Sequence, residues 1–179
     1  LIPECVYSDD PAALERTYQL FDEYLAAKGQ PASGVISSIE TYDGVEKFES
    51  HLTTPEPLDL ERHFANGVAT GMRYLTMEVS SQALKYDRVK NVEFAAAVFL
   101  NIGMDHISPI EHPDFEDYFA SKLRIFSQAA AACVNLDCDH APEVLAAAQA
   151  EEEARKERER QERIERKKLM ASKEYQQAE

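Results

Sequence analysis

Three short stretches of this chain carry side chains that could do chemistry. Met77-Glu78-Val79-Ser80-Ser81-Gln82-Ala83-Leu84 places a carboxylate and two hydroxyls at the end of an apolar run. A carboxylate there can hold a hard divalent ion, and hydroxyls with free backbone N–H groups at a helix start can hold an anion. The same pattern also describes simple helix capping by Ser80 or Ser81. Asn101-Ile102-Gly103-Met104-Asp105-His106 follows a second apolar run and offers a carboxylate and an imidazole that could contact metal or phosphate. The third stretch holds Lys122, within Asp117-Tyr118-Phe119-Ala120-Ser121-Lys122-Leu123-Arg124-Ile125-Phe126, where a helical lysine ordinarily keeps its head in water. Asn135 and Asp137 follow another apolar run, and Cys138-Asp139-His140 beyond them has metal-capable side chains. Adjacent residues rarely converge on one ion without partners from elsewhere, so no metal is assigned to that tripeptide.

Elements that end where these stretches begin must position them. Residues 74–79, 95–100 and 131–135 read as strands; the almost wholly apolar 95–100 suits a central strand buried on both faces, with 131–135 the next buried strand. Residues 2–7 suggest a short strand. Asp10 caps a helix beginning at Pro11, in which Leu14, Tyr18, Phe21 and Leu25 recur at helical spacing until Gly29-Gln30-Pro31. Residues 34–42 read as one strand, turned by Asp43-Gly44 into another over 46–50. A helix over 57–71 offers Leu58, Leu60, Phe64 and Val68 to the core, a short helix starts at Ser80 or Ser81, and His112-Pro113-Asp114 opens another running to about Gln128. Strands alternating with helices predict an α/β fold, a mainly parallel sheet flanked by helices, with sites at the carboxyl ends of strands.

From about Ala141 the composition changes. Acid-first pairs such as Glu151–Arg155, Glu152–Lys156, Glu159–Arg163 and Glu162–Arg166 predict a long charged C-terminal helix. Leu145, Ile164, Leu169 and Met170 make no sustained heptad stripe, so an exposed helix is the simpler expectation and self-association through it the other. The expected division is an α/β domain over 1–145 and a charged helical tail over 146–179. Residues 151–179 are electrically balanced, so the net charge of −14 sits on the rest of the chain. That surface repels nucleic acid and anionic membranes, and neither is expected as a partner. The three cysteines, Cys5, Cys133 and Cys138, form no CxxC pair and are expected reduced, two of them in or beside buried strands. No apolar run reaches the length of a membrane span, and the first residues lack a signal layout, so the cytoplasm is the expected compartment.

Taken in order, Glu-Val-Ser-Ser-Gln-Ala-Leu, Asn-(x)3-Asp-His, Tyr-Phe-x-x-Lys and Val-Asn-x-Asp-x-Asp resemble the central domain of the Mur ligases from about Thr17 to Leu145. Thr53-Thr54-Pro55-Glu56-Pro57 is similar to the Thr-Thr-Pro signature of the branch that extends UDP-N-acetylmuramoyl-dipeptide. The resemblance implies ATP-dependent amide bond formation in peptidoglycan precursor synthesis: a carboxylate is activated as an acyl phosphate, and an amine displaces phosphate. It implies Glu78, His106 and Lys122 as magnesium ligands, with Lys122 matching a lysine that the family carbamylates. Lys122 and Asp105 take the catalytic positions; Asn101, His106 and Asn135 take positions toward the ATP cofactor. Thr53, Thr54, Ser80, Ser81, Gln82 and Arg88 take positions toward a UDP-muramoyl-peptide, with Gln82 standing where the branch usually has histidine.

One departure bears on cofactor use. The family places a Gly-Thr-x-Gly-Lys-Thr/Ser loop ahead of the helix matching Thr17–Lys28. Here the place reads Ser8-Asp9-Asp10-Pro11-Ala12-Ala13-Leu14-Glu15-Arg16. Neither glycine nor lysine is present, Pro11 has no N–H to donate, and three carboxylates would repel a triphosphate. Magnesium is therefore the retained expectation and conventional ATP binding is not. The uridine-binding and amino-acid-binding domains of the family are not expected within this sequence, so little activity is expected of it alone. Two other readings stay open: a truncated or engineered scaffold assembling through its C-terminal helix, and a small metal-dependent hydrolase using Glu78, Asp105 and His106.

Overall fold

Proline at the first position of a helix gives up an N–H that has no intrahelical partner, and α1 (Pro11–Ala27) begins on such a proline. The computed structural model describes the backbone of residues 11–177, and the side chains of Arg16 and residues 19–170. The expected strand over 2–7, the Asp10 cap, Cys5 and the Ser8-Asp9-Asp10 segment lie outside the described residues. These residues divide into two compact units, one up to Ser80 and the other from Ser81 onward.

In the first unit Leu25 is the buried anchor of α1, while Phe21 is partly exposed and meets Tyr74 edge-on at 5.7 Å. The strand expected over 34–42 is two strands, β1 (Gly34–Ile36) and β2 (Glu40–Tyr42). Ser37 breaks it: its Oγ accepts the N–H groups of Ile39 and Glu40 at 3.2 and 3.0 Å, closing a local turn. Asp43-Gly44 turns β2 into β3 (Lys47–Glu49) as expected, with Gly44 at φ 90°. Helix α2 (Pro57–Ala69) follows, then β4 (Leu75–Met77). The sheet order is β3-β2-β1-β4; β1 and β4 are parallel, and the two hairpin pairs are antiparallel.

The buried face of α2 differs from the expected one. Leu58 and Val68 are 86 % and 79 % exposed, whereas Leu60, His63 and Gly67 face inward. Spacings of three and four put those three on one stripe, and the buried imidazole is held there by Asp43. The Asp43 carboxylate accepts the Val45 and Glu46 N–H groups at 2.9 and 2.7 Å on one oxygen. Its other oxygen meets His63 Nδ1 at 2.7 Å and Asn66 Nδ2 at 2.8 Å. One side chain thus closes the turn and docks the helix on it.

The second unit holds α3 (Ser81–Lys85), β5 (Ala97–Phe99), α4 (Phe115–Leu123), a 3-10 turn over Arg124–Gln128, β6 (Ala132–Val134) and α5 (Ala141–Gln177). Asp114 caps α4, accepting the Asp117 N–H at 2.8 Å. Strands β5 and β6 pair in parallel. Ala97, Phe99, Ile102, Tyr118, Phe126, Val144 and Ala148 form the core. The expectation of strands buried on both faces is corrected: Val98 is 63 % exposed, and Cys133 on β6 is exposed. Pleating turns alternate residues of β5 away from that core, and an apolar run does not disclose whether a second layer covers it. Cys138 is half-buried.

The α/β class and the long charged C-terminal helix are what the chain adopts, with two parallel and two antiparallel strand pairs. Along α5, Lys156 pairs with Glu152 at 2.6 Å, and Arg155 turns to Glu159 at 2.6 Å. Among the described residues no helix is long and apolar enough to cross a membrane.

Candidate functional site

In the first unit the candidate residues gather where β4 ends. Glu78 N donates to Ile36 O at 2.8 Å, which extends the β1–β4 ladder to this residue. The Glu78 carboxylate then accepts the Ser38 N–H at 2.7 Å, so the turn between β1 and β2 fixes it. Thr54 is fully buried: its hydroxyl donates to Glu78 O at 3.0 Å and accepts the Ser80 N–H at 3.0 Å. It ties the segment before α2 to the exit of β4, while Thr53 beside it is half-buried.

In the second unit Asn101, Ile102, Gly103, Met104, Asp105, His106, Tyr118 and Lys122 line an open cavity of about 560 Å³. The exit of β5 supplies the first six, and α4 supplies Tyr118 and Lys122 one turn apart on the same face. His106 has φ 57°, its N–H donates to its neighbour Asp105 Oδ1 at 2.8 Å, and its ring lies 5.4 Å from that of Tyr118. Glu111 Oε1 is 3.6 Å from His106 Nδ1. The Lys122 ammonium sits 5.2 Å from the Tyr118 ring centre and 5.9 Å from that of Phe99, a cation–π placement that keeps it at the cavity wall.

Asn135 closes the exit of β6: its Nδ2 donates to Leu100 O at 2.9 Å and its Oδ1 accepts the Asp137 N–H at 3.1 Å. Gln82 Nε2 donates to Glu111 Oε1 at 3.3 Å, and Arg88 is half-buried after α3.

Sequence reasoning did not single out the most buried polar group of this unit. His112 is 0 % exposed, with Nδ1 2.6 Å from Asp117 Oδ2 and Nε2 2.9 Å from Ser81 Oγ. Lys85 Nζ donates to Asp117 Oδ2 at 2.6 Å and to Glu111 O at 3.0 Å. The Lys85 hydrogen bond, then that of His112, holds the Asp117 carboxyl below the usual carboxylate range. His112 precedes a Pro-Asp helix start, a context that signals a cap, and its Ser81 partner lies 31 residues away.

These polar clusters lie at the exits of parallel strands, the place where ligands of α/β folds collect. The Mur ligase middle domain matches residues 17–178, and the chain belongs to the Mur ligase family. UDP-N-acetylmuramoyl-L-alanyl-D-glutamate–L-lysine ligase of Enterococcus faecalis is 44% identical over 128 residues, covering 70% of this chain and 25% of that protein. The ligase of the same name from Streptococcus agalactiae is 53% identical over 100 residues, covering 56% of this chain and 21% of that protein. This chain therefore spans about a quarter of the length of the curated relatives it matches. A solved UDP-N-acetylmuramoyl-L-alanyl-D-glutamate–2,6-diaminopimelate ligase superposes with TM-score 0.57 at 24% identity, over 74% of this chain and 26% of that one. That likeness is one of fold.

Proposed function

We propose that this chain is the middle-domain portion of an ATP-dependent acid–amino-acid ligase of peptidoglycan precursor synthesis, and that it does not complete the reaction alone. Its ligand on this reading is a UDP-muramoyl-peptide. The observation that carries the reading is the cavity in which Asn101, Asp105, His106 and Lys122 meet, within a chain matched to the family over residues 17–178. Residues 1–145 would supply the ligand-binding domain and 146–179 a helical appendage.

Asp105 and Asn101 bring a carboxylate and an amide oxygen to the cavity, a donor set that suits a hard cation such as magnesium. An ammonium at Lys122 does not suit it, and carbamylation would replace that cation with a metal-competent anion. On the motifs, Glu78 is proposed as a magnesium ligand in the first unit, and His106 and Lys122 as metal ligands in the second. Magnesium would act as a Lewis acid toward phosphoryl and carbonyl oxygens. Asp105 holds the backbone of His106, and Asn135 holds the neighbouring strand exit in place. Thr53, Ser80, Ser81, Gln82 and Arg88 are assigned to the muramoyl-peptide. The Thr54 hydroxyl is engaged on both sides by the protein, so its assigned role is to place Ser80.

The inability to use ATP is proposed from the sequence of residues 8–16 alone, which has Asp9, Asp10 and Glu15 in the stretch where the family's loop carries glycine and lysine, with Arg16 as the nearby cation in sequence. Isothermal titration of the chain with UDP-N-acetylmuramoyl-L-alanyl-D-glutamate and, separately, with Mg-ATP tests both halves. Binding of the first without the second is expected. Micromolar Mg-ATP affinity would overturn the reading of residues 8–16, and no binding of the muramoyl-dipeptide would overturn the substrate.

A further inference from the structure

The Ser81–His112–Asp117 chain has a direction that its chemistry fixes. Asp117 is an ionised carboxylate and can only accept hydrogen bonds; its Oδ2 takes one from Lys85 Nζ at 2.6 Å and one from His112 Nδ1 at 2.6 Å. The proton on the imidazole is therefore on Nδ1. In the neutral ring the second nitrogen is then a lone pair, and the Ser81 hydroxyl 2.9 Å away must donate to it. With that ring state the Ser81 proton points into the protein, and its oxygen keeps acceptor capacity.

We propose that His112 and Asp117 are positioning residues that set the polarity of the Ser81 hydroxyl, making it a hydrogen-bond acceptor for an N–H group of the ligand. On the substrate reading above, on which the ligand named here rests, that donor is a peptide N–H of the muramoyl-peptide. Full burial of His112 fits the role, since the ring has no water with which to exchange its partners. Ser81 is 4 % exposed, so no area of substrate rests on it and any ligand contact there is limited to a single group. The same clasp fixes the segment after β5. His112 O accepts the Ser108 N–H at 2.9 Å and Lys85 holds Glu111 O, so the segment carrying Asp105 and His106 is anchored at its far end to α3.

The test uses the full chain and two readouts. Long-range proton–nitrogen NMR of the histidine rings should show His112 as the Nδ1–H tautomer; an Nε2–H tautomer would overturn the device even if the probe binds. The second readout is titration with UDP-N-acetylmuramoyl-L-alanyl-D-glutamate. Ser81→Ala should weaken binding about three- to tenfold, the worth of one hydrogen bond. Asp117→Asn, whose amide can donate to Nδ1 and move the ring proton to Nε2, should weaken it similarly with the fold unchanged by circular dichroism. A purely structural role predicts unaltered affinity in a folded Asp117→Asn chain, and that result would overturn the proposal. Failure of the unaltered chain to bind the probe would instead remove the substrate reading and the ligand named here, with the tautomer still deciding the device.

Discussion

Replacing Asp43 with alanine should destabilise the first unit more than any other single truncation on its surface turns. The carboxylate is fully buried and accepts from the Val45 and Glu46 N–H groups, His63 Nδ1 and Asn66 Nδ2. The four losses are unequal. Val45 is 62 % exposed, so its amide regains water and contributes little, whereas Glu46 is half-buried. His63 is 1 % exposed, so its ring N–H loses its 2.7 Å partner with only Glu46 Oε2, 3.7 Å away, in reach, a penalty of about 1–3 kcal/mol for a buried donor. Bonds to an ionised acceptor are about twice as strong as neutral ones. Hydrogen bonds to a charged group contribute about 1.5–3 kcal/mol each, so losing those of His63 and Asn66 makes roughly 3–5 kcal/mol the expected loss for Asp43→Ala. Asp43→Asn keeps an oxygen for the turn and lets the His63 tautomer change, so roughly 1–2 kcal/mol is expected. Urea unfolding followed by far-ultraviolet circular dichroism measures both, provided the denaturant slope is unchanged. A loss below about 1 kcal/mol for the alanine variant, or an asparagine variant that is the worse of the two, would refute the reasoning.

The same carboxylate sets an acid response. Burial opposes its charge, but the Glu46 N–H, His63, Asn66 and the Val45 N–H outweigh burial and hold its pKa well below the ordinary 3.8. A depressed folded value contributes stability that is fully present above the unfolded value and lost as pH falls through the folded one. Unfolding free energies of the unaltered chain and Asp43→Asn should therefore differ by a constant amount from pH 7 to about pH 5 and converge below about pH 4, and a gap that widens on acidification would count against this. Thr54→Val removes the link between Glu78 O and the Ser80 N–H and should cost about 1–3 kcal/mol in urea unfolding, most of it recovered by Thr54→Ser. Deleting residues 151–179 should leave the melting temperature and the number of chains per particle unchanged, because Val144 and Ala148 are the last buried side chains described on α5. A halved number would reveal assembly through that helix.

What the sequence disclosed follows from how local each signal is. The Asp43-Gly44 turn, the helix opened by His112-Pro113-Asp114 and the charged helix are written in residues one to four apart, and all three are in the structure. The failures involve partners farther off. Leu58 and Val68 looked like the core of α2 by type, yet a partner on the β2–β3 turn selects the stripe through His63. Residues 95–100 looked buried on both faces because apolar type does not report how many layers cover a strand, and Val98 is exposed. Ser37 divided one expected strand into two through its own hydroxyl, a competition between side chain and backbone that β propensity does not capture. In the site, Asn101, Asp105 and His106 were legible as a strand-exit cluster. His112 was not, because its role exists only through Ser81 and Asp117.

The three buried side chains that organise these segments are all polar, and that choice has a physical reason. An apolar anchor would tether a loop about as strongly, at roughly 1.5–3 kcal/mol for a fully buried side chain, but without specifying direction. Thr54, Asp43 and His112 each fix a particular donor or acceptor at a particular distance, and each does so on the approach to a candidate residue or turn. Ser80 is placed by the acceptor of its N–H, and Ser81 by the acceptor of its proton. A hydrophobic replacement such as His112→Leu could preserve packing against Tyr118, whose ring centre lies 5.3 Å from that of His112. It would leave Asp117 without its second donor and Ser81 free to rotate. Stability and ligand affinity should therefore separate in such a variant, and their moving in proportion would mean that the clasp serves only the fold.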